Sequence, residues 1–436
     1  MLKRYLSSVW EKRYTYVHMQ ETSRYAVGLD VGTSAVKVVV GHLEDPTQAP
    51  TIVGVASEPT NGMRKGVVVN LVSVAQSIDK ALEAVERMSG HRIEGATVSV
   101  NGSHIVGISS KGVIAVGANG HEINKEDVDR VEEAATVLQL PANREIVDVT
   151  PRSYQLDGQE NIKDPLGMTG VRLEVDAHVI TALAPHLKNL EKVCEMTETP
   201  PNNIILAGLA SARAVLSDQQ IENGVLLVDI GGSTTNLVVF DEGDLQHIAV
   251  LPVGGSNITN DLAIGLKTDL DIAEKIKLEH AVAHSDLRRG KSDKASVKIG
   301  KETHEFDVED IDMIVDARLE EIFEQINSEL TSIGRAAKLP GGVVLTGGGA
   351  ELKGIADYAK QALNLSARVG RPAGFGGVAE QVASPSYATS IGLMMSDLLS
   401  DQATSSNKKQ DSSSGADKVL RSLTQKITGV FGKFRS

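Results

Sequence analysis

Cysteine is almost absent: Cys194 is the only one in 436 residues. No intrachain disulfide can form, which points to a reducing compartment. Cys194 shares its spacing with Leu187, Leu190 and Val193 on one side of a predicted helix. That setting reads as a buried structural thiol rather than a nucleophile. Aromatic residues make up only 3% of the chain, too few for a stacking surface for single-stranded nucleic acid. The net charge of −13 argues against bulk binding to nucleic acid for a second reason. No apolar run reaches about 18 residues, so no transmembrane helix is expected. The N-terminus lacks the uninterrupted apolar core of a secretory signal. The eleven histidines are dispersed and show no metal-ligand spacing.

What is present is ordinary in bulk and unusual at the ends. Apolar content of 41% and charged content of 23% describe a soluble globular body with room for two to four domains. The last stretch, Gly415 to Ser436, departs from that. Val419, Leu420, Leu423, Ile427, Val430, Phe431 and Phe434 recur at spacings of three and four, which places them on one helix face. Lys418, Arg421, Lys426, Lys433 and Arg435 fall between them, with only Asp417 opposing. Asp401 to Ser414 is nearly all small polar residues. A basic amphipathic helix on a flexible linker reads as an interfacial anchor for an anionic membrane surface. Residues 1–24 carry a weaker version, with Leu2, Tyr5, Leu6, Val9, Trp10, Tyr14 and Val17 among Lys3, Arg4, Lys12 and Arg13. Three readings stay open there: a second interfacial helix, a disordered extension, or a start at Met19.

Between these ends the pattern alternates strands and helices. Tyr25–Asp30 and Val36–Gly41 read as strands around a turn, Ser73–Met88 as an amphipathic helix stopped by Gly90, and Ala96–Asn101 as a strand. Residues 103–183 have their own rhythm: strand pairs near Ile105–Ile108 and Gly112–Val116, a helix at Lys125–Leu138, and strands near Ile146–Tyr154 and Arg172–Ala182. That reads as a small inserted α+β unit. A helix near His186–Thr197 leads to the strand Asn203–Leu206. The strands Gly224–Val228 and Asn236–Phe240 then mirror the first pair. Residues 255–310 look like a second insertion, and Ile311 to Ile333 mark a long amphipathic helix. It feeds the strand Gly342–Thr346, and a helix at Tyr387–Leu399 closes the body.

The repeat carries the chemistry. Leu29-Asp30-Val31-Gly32-Thr33-Ser34 and Val228-Asp229-Ile230-Gly231-Gly232-Ser233-Thr234 are both strand, acid, small turn. A tight glycine turn lets backbone N–H groups approach phosphate oxygens, and Ser or Thr hydroxyls add donors. An Asp at the strand end can hold Mg²⁺ through water. One such loop is often only a turn; two facing each other would clamp a polyphosphate. Gly347-Gly348-Gly349, after the strand Val343–Thr346, is a third glycine turn against which a nucleoside could pack.

In this order the three loops resemble the actin-like ATPase superfamily and, within it, the FtsA family of bacterial cell-division proteins. Gly167-Met168-Thr169-Gly170-Val171-Arg172-Leu173, Ala207-Gly208-Leu209-Ala210-Ser211-Ala212, Ala273-Glu274-Lys275-Ile276-Lys277 and Leu345-Thr346-Gly347-Gly348-Gly349-Ala350-Glu351-Leu352 are similar to that family's motifs. The resemblance spans about Tyr25 to Leu399 and returns in the basic C-terminal helix. It implies an α/β, actin-like ATPase fold with two ribonuclease-H-like halves around a nucleotide cleft. Subdomain IA would take 25–102 and 184–206, an inserted SHS2-like IC 103–183, IIA 207–255 and 331–400, and IIB 256–330. The linker would be 401–414 and the membrane-targeting helix 415–436. Gly32, Thr33 and Ser34 would touch phosphates from one side and Gly231, Gly232, Ser233 and Thr234 from the other. Asp30 and Asp229 would face Mg²⁺, Glu274 and Lys277 the ribose and base edge, and Gly347, Gly348 and Gly349 the nucleoside.

The resemblance implies ATP or ADP as ligand, self-association into filaments, the C-terminal tail of FtsZ bound by IIB, later division proteins as partners, and a place on the cytoplasmic face of the membrane at the septum. Asn236 stands where many relatives have Asp, and Ala207–Ala212 lacks a water-orienting acid. Slow or absent ATP turnover is therefore expected, with nucleotide acting as an assembly switch. Two other classes remain: a PilM-like scaffold of a pilus or secretion system, and a sugar or carboxylate kinase. Neither accounts for the basic tail.

Overall fold

The computed structural model describes residues 24–44, 49–117, 120–284 and 293–405. The helix expected at 415–436, with its residues Lys418 to Phe434, and the N-terminal segment up to residue 23 lie outside them. The two halves repeat one design. In the first, Arg24–Val31 pairs antiparallel with Ala35–Leu43, which pairs with Thr51–Pro59. On its other side Arg24–Val31 lies parallel to Ala96–Val100, and that strand lies parallel to Pro201–Leu206. In the second half Val225–Ile230, Thr235–Asp241 and Asp244–Leu251 form the same antiparallel meander. Val343–Thr346 and Ala367–Val369 add the parallel side. Strands buried on both faces explain the near-continuous apolar runs Val36–Val40 and Val225–Val228.

Two helices knit the halves together. Ala207–Val215 follows directly on Pro201–Leu206, and Ala388–Ser405 packs across it. A Cβ at Gly392 would collide with Ala210 O, so only glycine permits the approach. Ala388–Ser405 also lies on the first strand: Val27 N–H donates to Asp397 Oδ2 at 2.9 Å, and Thr97 Oγ1 to Asp397 Oδ1 at 2.7 Å. This helix runs to Ser405, into the stretch whose polar composition reads as linker. Polar composition does not oppose a helix already nucleated by a buried turn.

The inserted unit is a four-stranded sheet with a helix, Lys125–Ala135, on one face. Here the expectation of two short strands in 105–116 is corrected. Val106–Ala115 is one edge strand paired along its length with Arg172–Leu183. Its Gly107 and Gly112 are not turn signals but sites of close approach, to His178 and to the Val131 carbonyl. The short strand Gln159–Ile162 has no alternating pattern and is not anticipated. The open face of this sheet meets the edge strand Asp244–Leu251 of the second half. Lys163 Nζ donates to Asp244 Oδ2 (2.5 Å) and Glu242 O (2.7 Å), and Arg152 Nη2 to Gln246 Oε1 (2.5 Å).

The second insertion is two helices, Gly255–Gly265 and Leu270–His280, then the hairpin Lys294–Ile299 with Glu302–Asp307. The long helix Val308–Ser332 buries Ile311, Val315, Leu319, Ile322, Phe323, Ile326 and Leu330 along one stripe.

Candidate functional site

The two hairpins close on each other. In the first, Gly32 N–H donates to Ala35 O (3.2 Å); in the second, Gly231 N–H donates to Thr234 O (2.8 Å). Ser233 Oγ donates to Thr33 Oγ1 at 2.9 Å, so the loops touch across the boundary between the halves. A Cβ at Gly232 would collide with Ser34 Oγ. Behind the second loop, Gly255 N–H donates to Gly231 O (2.9 Å) and Ser256 N–H to Gly232 O (2.7 Å). The start of helix Gly255–Gly265 is thus fastened to the loop backbone.

The third loop packs onto the second. Gly347 has φ +80°, and a Cβ there would collide with Asp229 Oδ1 and lie 2.6 Å from Ile230 O. Gly349 meets the Ile230 side chain in the same way, whereas Gly348 has open space up to Ser386. Strand pairing sets Thr346 opposite Asp229.

Asp30 and Asp229 sit at the base of the loops. Asp30 Oδ1 accepts from Ser99 Oγ at 2.8 Å. Asp229 Oδ2 accepts from Ser211 Oγ (2.9 Å), Thr389 Oγ1 (3.4 Å) and Asn236 Nδ2 (3.5 Å). Burial pushes both carboxyls up, and at Asp229 the charge of Asp30 adds to burial, so that its pKa rises to about 6. Lys37 answers both. It lies opposite Asp30 in the hairpin register and feels the fields of Asp30 and Asp229. Its Nζ donates to Ser386 O (2.6 Å) and lies 5.1 Å from the centre of the Tyr387 ring. Burial pulls its pKa down. The sequence reading passed over Lys37, Ser99 and Asn101. Two of them had a visible signal: Lys37 is a lone charge in Ala35–Val40, and Thr97 and Ser99 are polar at alternate positions of a strand buried on both faces.

The donors suit a hard, hydrated cation. Asp30, Asp229 and the Ser and Thr hydroxyls are all oxygen, and Asn236 Oδ1 is buried without a partner beside Asp229. Among the described residues no cluster of three or more His, Cys, Asp or Glu could cage a metal alone.

Glu274 and Lys277 pair on one face of Leu270–His280, at 2.6 Å. Lys277 Nζ also donates to Thr259 Oγ1 (2.8 Å) and Gly255 O (3.2 Å). The ion pair therefore reaches the helix start that holds the second loop.

Two mirrored sheets, an acid and a glycine hairpin in each, and a third glycine turn define an actin-like ATPase fold. Solved structures agree on the fold. The PilM-PilN type IV pilus biogenesis complex matches with a TM-score of 0.60 at 19% identity, covering 85% of this chain and 97% of that one. MreB5 of Spiroplasma citri bound to ADP matches with a TM-score of 0.53 at 13% identity, covering 89% and 100%. The chain belongs to the FtsA family of cell division proteins. The family model described as cell division protein FtsA matches residues 226–392, and that of the SHS2 domain inserted in FtsA matches 102–181. FtsA of Pseudomonas aeruginosa is 35% identical over 94% of this chain and 99% of its own length. FtsA of Bacillus subtilis is 39% identical over 84% and 82%. No helix among the described residues is long and apolar enough to cross a membrane.

Proposed function

We propose that the chain binds ATP or ADP with Mg²⁺ between its two hairpins, polymerises on the membrane, and tethers FtsZ filaments of the division ring to the cytoplasmic membrane. The observation that carries the nucleotide reading is the contact of Thr33 with Ser233 above Asp30, Asp229 and Lys37. A phosphate chain entering between the loops takes these hydroxyls and the loop N–H groups as donors, and Lys37 neutralises its charge. Mg²⁺, bound through water to Asp30 and Asp229, would supply the remaining positive charge. Gly347 and Gly349 hold a backbone surface for the nucleoside, and Glu274 with Lys277 flanks it.

Nothing in the cluster acts as an evident general base, so nucleotide serves as a switch with slow or no turnover. Subdomain IIB leaves the apolar side chains of Ile264, Leu278 and Met313 well exposed on three helices, which supports this subdomain as the seat for the FtsZ tail. The C-terminal helix supplies one weak membrane contact per subunit, and a filament multiplies it. Later division proteins would be recruited to that filament at the septum.

Calorimetry with Mg·ATP tests the clamp. Gly232→Asp places a carboxylate against Ser34, and Asp229→Ala removes the metal-side acid. Both should weaken binding at least tenfold. Affinity equal to that of the parent would contradict the site.

A further inference from the structure

The inserted subdomain joins the body through a neck, entered at Asn101–Val106 and left at Thr181–His186. The neck is tied to itself. Leu183 N–H donates to His104 Nδ1 (3.3 Å), and Arg144 Nη2 donates to His104 O (2.8 Å) and Thr181 O (3.0 Å). Thr181 Oγ1 donates to Val106 O (3.2 Å). These bonds fix the His104 tautomer. A backbone N–H only donates, so Nδ1 is bare and Nε2 carries the proton. Nε2 gives that proton to Asn101 O at 3.1 Å. Burial first, and then the His186 ring 4.6 Å away, keep His104 neutral, with its pKa pulled down to about 4.

The side chain of Asn101 points the other way, across the cleft. Its Nδ2 donates to Thr234 Oγ1 in the second hairpin at 3.1 Å. Its Oδ1 accepts from Gly102 N–H at 2.8 Å, which settles the orientation of the amide. A threonine hydroxyl has one proton. When its oxygen accepts from Asn101, that proton is left to donate elsewhere, and the loop faces the cleft. One residue thus touches the candidate phosphate loop of one half and the root of an insertion in the other.

We propose that Asn101 is a positioning residue that orients the Thr234 hydroxyl toward nucleotide phosphate, and that Asn101 and His104 relay occupancy of the cleft to the neck of the inserted subdomain. The path is short: Thr234 hydroxyl, Asn101 side chain, Asn101 carbonyl, His104 ring, Leu183 amide. A phosphate that draws Thr234 moves Asn101 with it. The carbonyl of Asn101 moves with the same residue, and the tied neck passes the shift to both strands that enter and leave the insertion. Gly66 adds a parallel tie, since its N–H donates to Thr33 Oγ1 (3.3 Å) and it packs on Gly102. The relay rests on the nucleotide reading above.

Hydrogen exchange by mass spectrometry on the full chain, with and without Mg·ATP, tests it. In the parent protein, ATP should slow exchange at 231–235 and also change it along 106–115 and 172–183. His104→Phe keeps the ring and removes both nitrogens. It should leave ATP affinity within about twofold, keep the response at 231–235 and lose the response of the insertion. Asn101→Ala should lose the same response and weaken ATP about fivefold, one hydrogen bond's worth. Thermal melting above room temperature shows that each variant is folded. A response of the insertion that survives in both variants overturns the relay. ATP binding to the parent with no response in the insertion overturns it as well. Absence of ATP binding in the parent overturns the nucleotide reading itself, a result distinct from either.

Discussion

His178 makes a prediction about acid. It lies on Arg172–Leu183 and is 4% exposed, and neither ring nitrogen has a hydrogen-bond partner. Burial is the main force against its protonation, and the nearby His247 and Arg152 add to it, so its pKa falls to about 4 from an ordinary 6.5. Both neighbours are engaged: Arg152 crosses from the insertion to Gln246 of the second half, and His247 is held within the second half by Glu329 (2.9 Å). The folded pKa is depressed below the unfolded one, so the unfolded chain takes the proton first. The stability held by neutral His178 is complete above about pH 6.5 and is lost as pH falls toward 4. At about pH 5 the loss from this one group is about 2 kcal/mol. Urea unfolding at about pH 7.5 and about pH 5 measures it in the parent and in His178→Gln. The variant carries the same cavity change at both pH values, so packing cancels in the comparison. Its acid loss should be smaller than the parent's by about 2 kcal/mol. Equal losses, within about 0.5 kcal/mol, would refute the reasoning, because the imidazole would not be what titrates.

Other perturbations follow from close contacts and from the tail. Gly347→Ala forces a side chain into φ +80° against Asp229. It should cost at least about 1–2 kcal/mol of stability and weaken ATP binding, read by melting and calorimetry. Gly28→Ala puts a Cβ into Ser390 O and 2.6 Å from Met394 N. It should push Ala388–Ser405 off the first sheet and cost about 1–3 kcal/mol in urea unfolding. Removal of Gly415–Ser436 should abolish pelleting with anionic vesicles and leave ATP affinity unchanged; equal pelleting would move the anchor to residues 1–24.

The halves were legible because their signal is a repeat. Two acid-glycine hairpins about two hundred residues apart announce two similar sheets, and the long stripe from Ile311 to Leu330 announces its helix by period. The single strand Val106–Ala115 was less legible. Its glycines serve helix and histidine packing from other elements, which no local pattern records. Lys37 and Asn101 escaped for a related reason. Lys37 stood out as a lone charge, but only tertiary placement sets it in the fields of both Asp30 and Asp229; Asn101 is ordinary in its own segment and meets Thr234 only in the folded chain. Glu274 and Lys277 were singled out by the family resemblance, and their link through Gly255 to the second loop depends on how two helices pack.

The most direct test of the account mixes FtsZ, anionic vesicles and ATP with the full chain or with the chain ending at Ser414. The account predicts that FtsZ pellets with vesicles only when the full chain is present. FtsZ that stays in the supernatant with the full chain, or that pellets equally with the shortened one, would contradict the membrane tether.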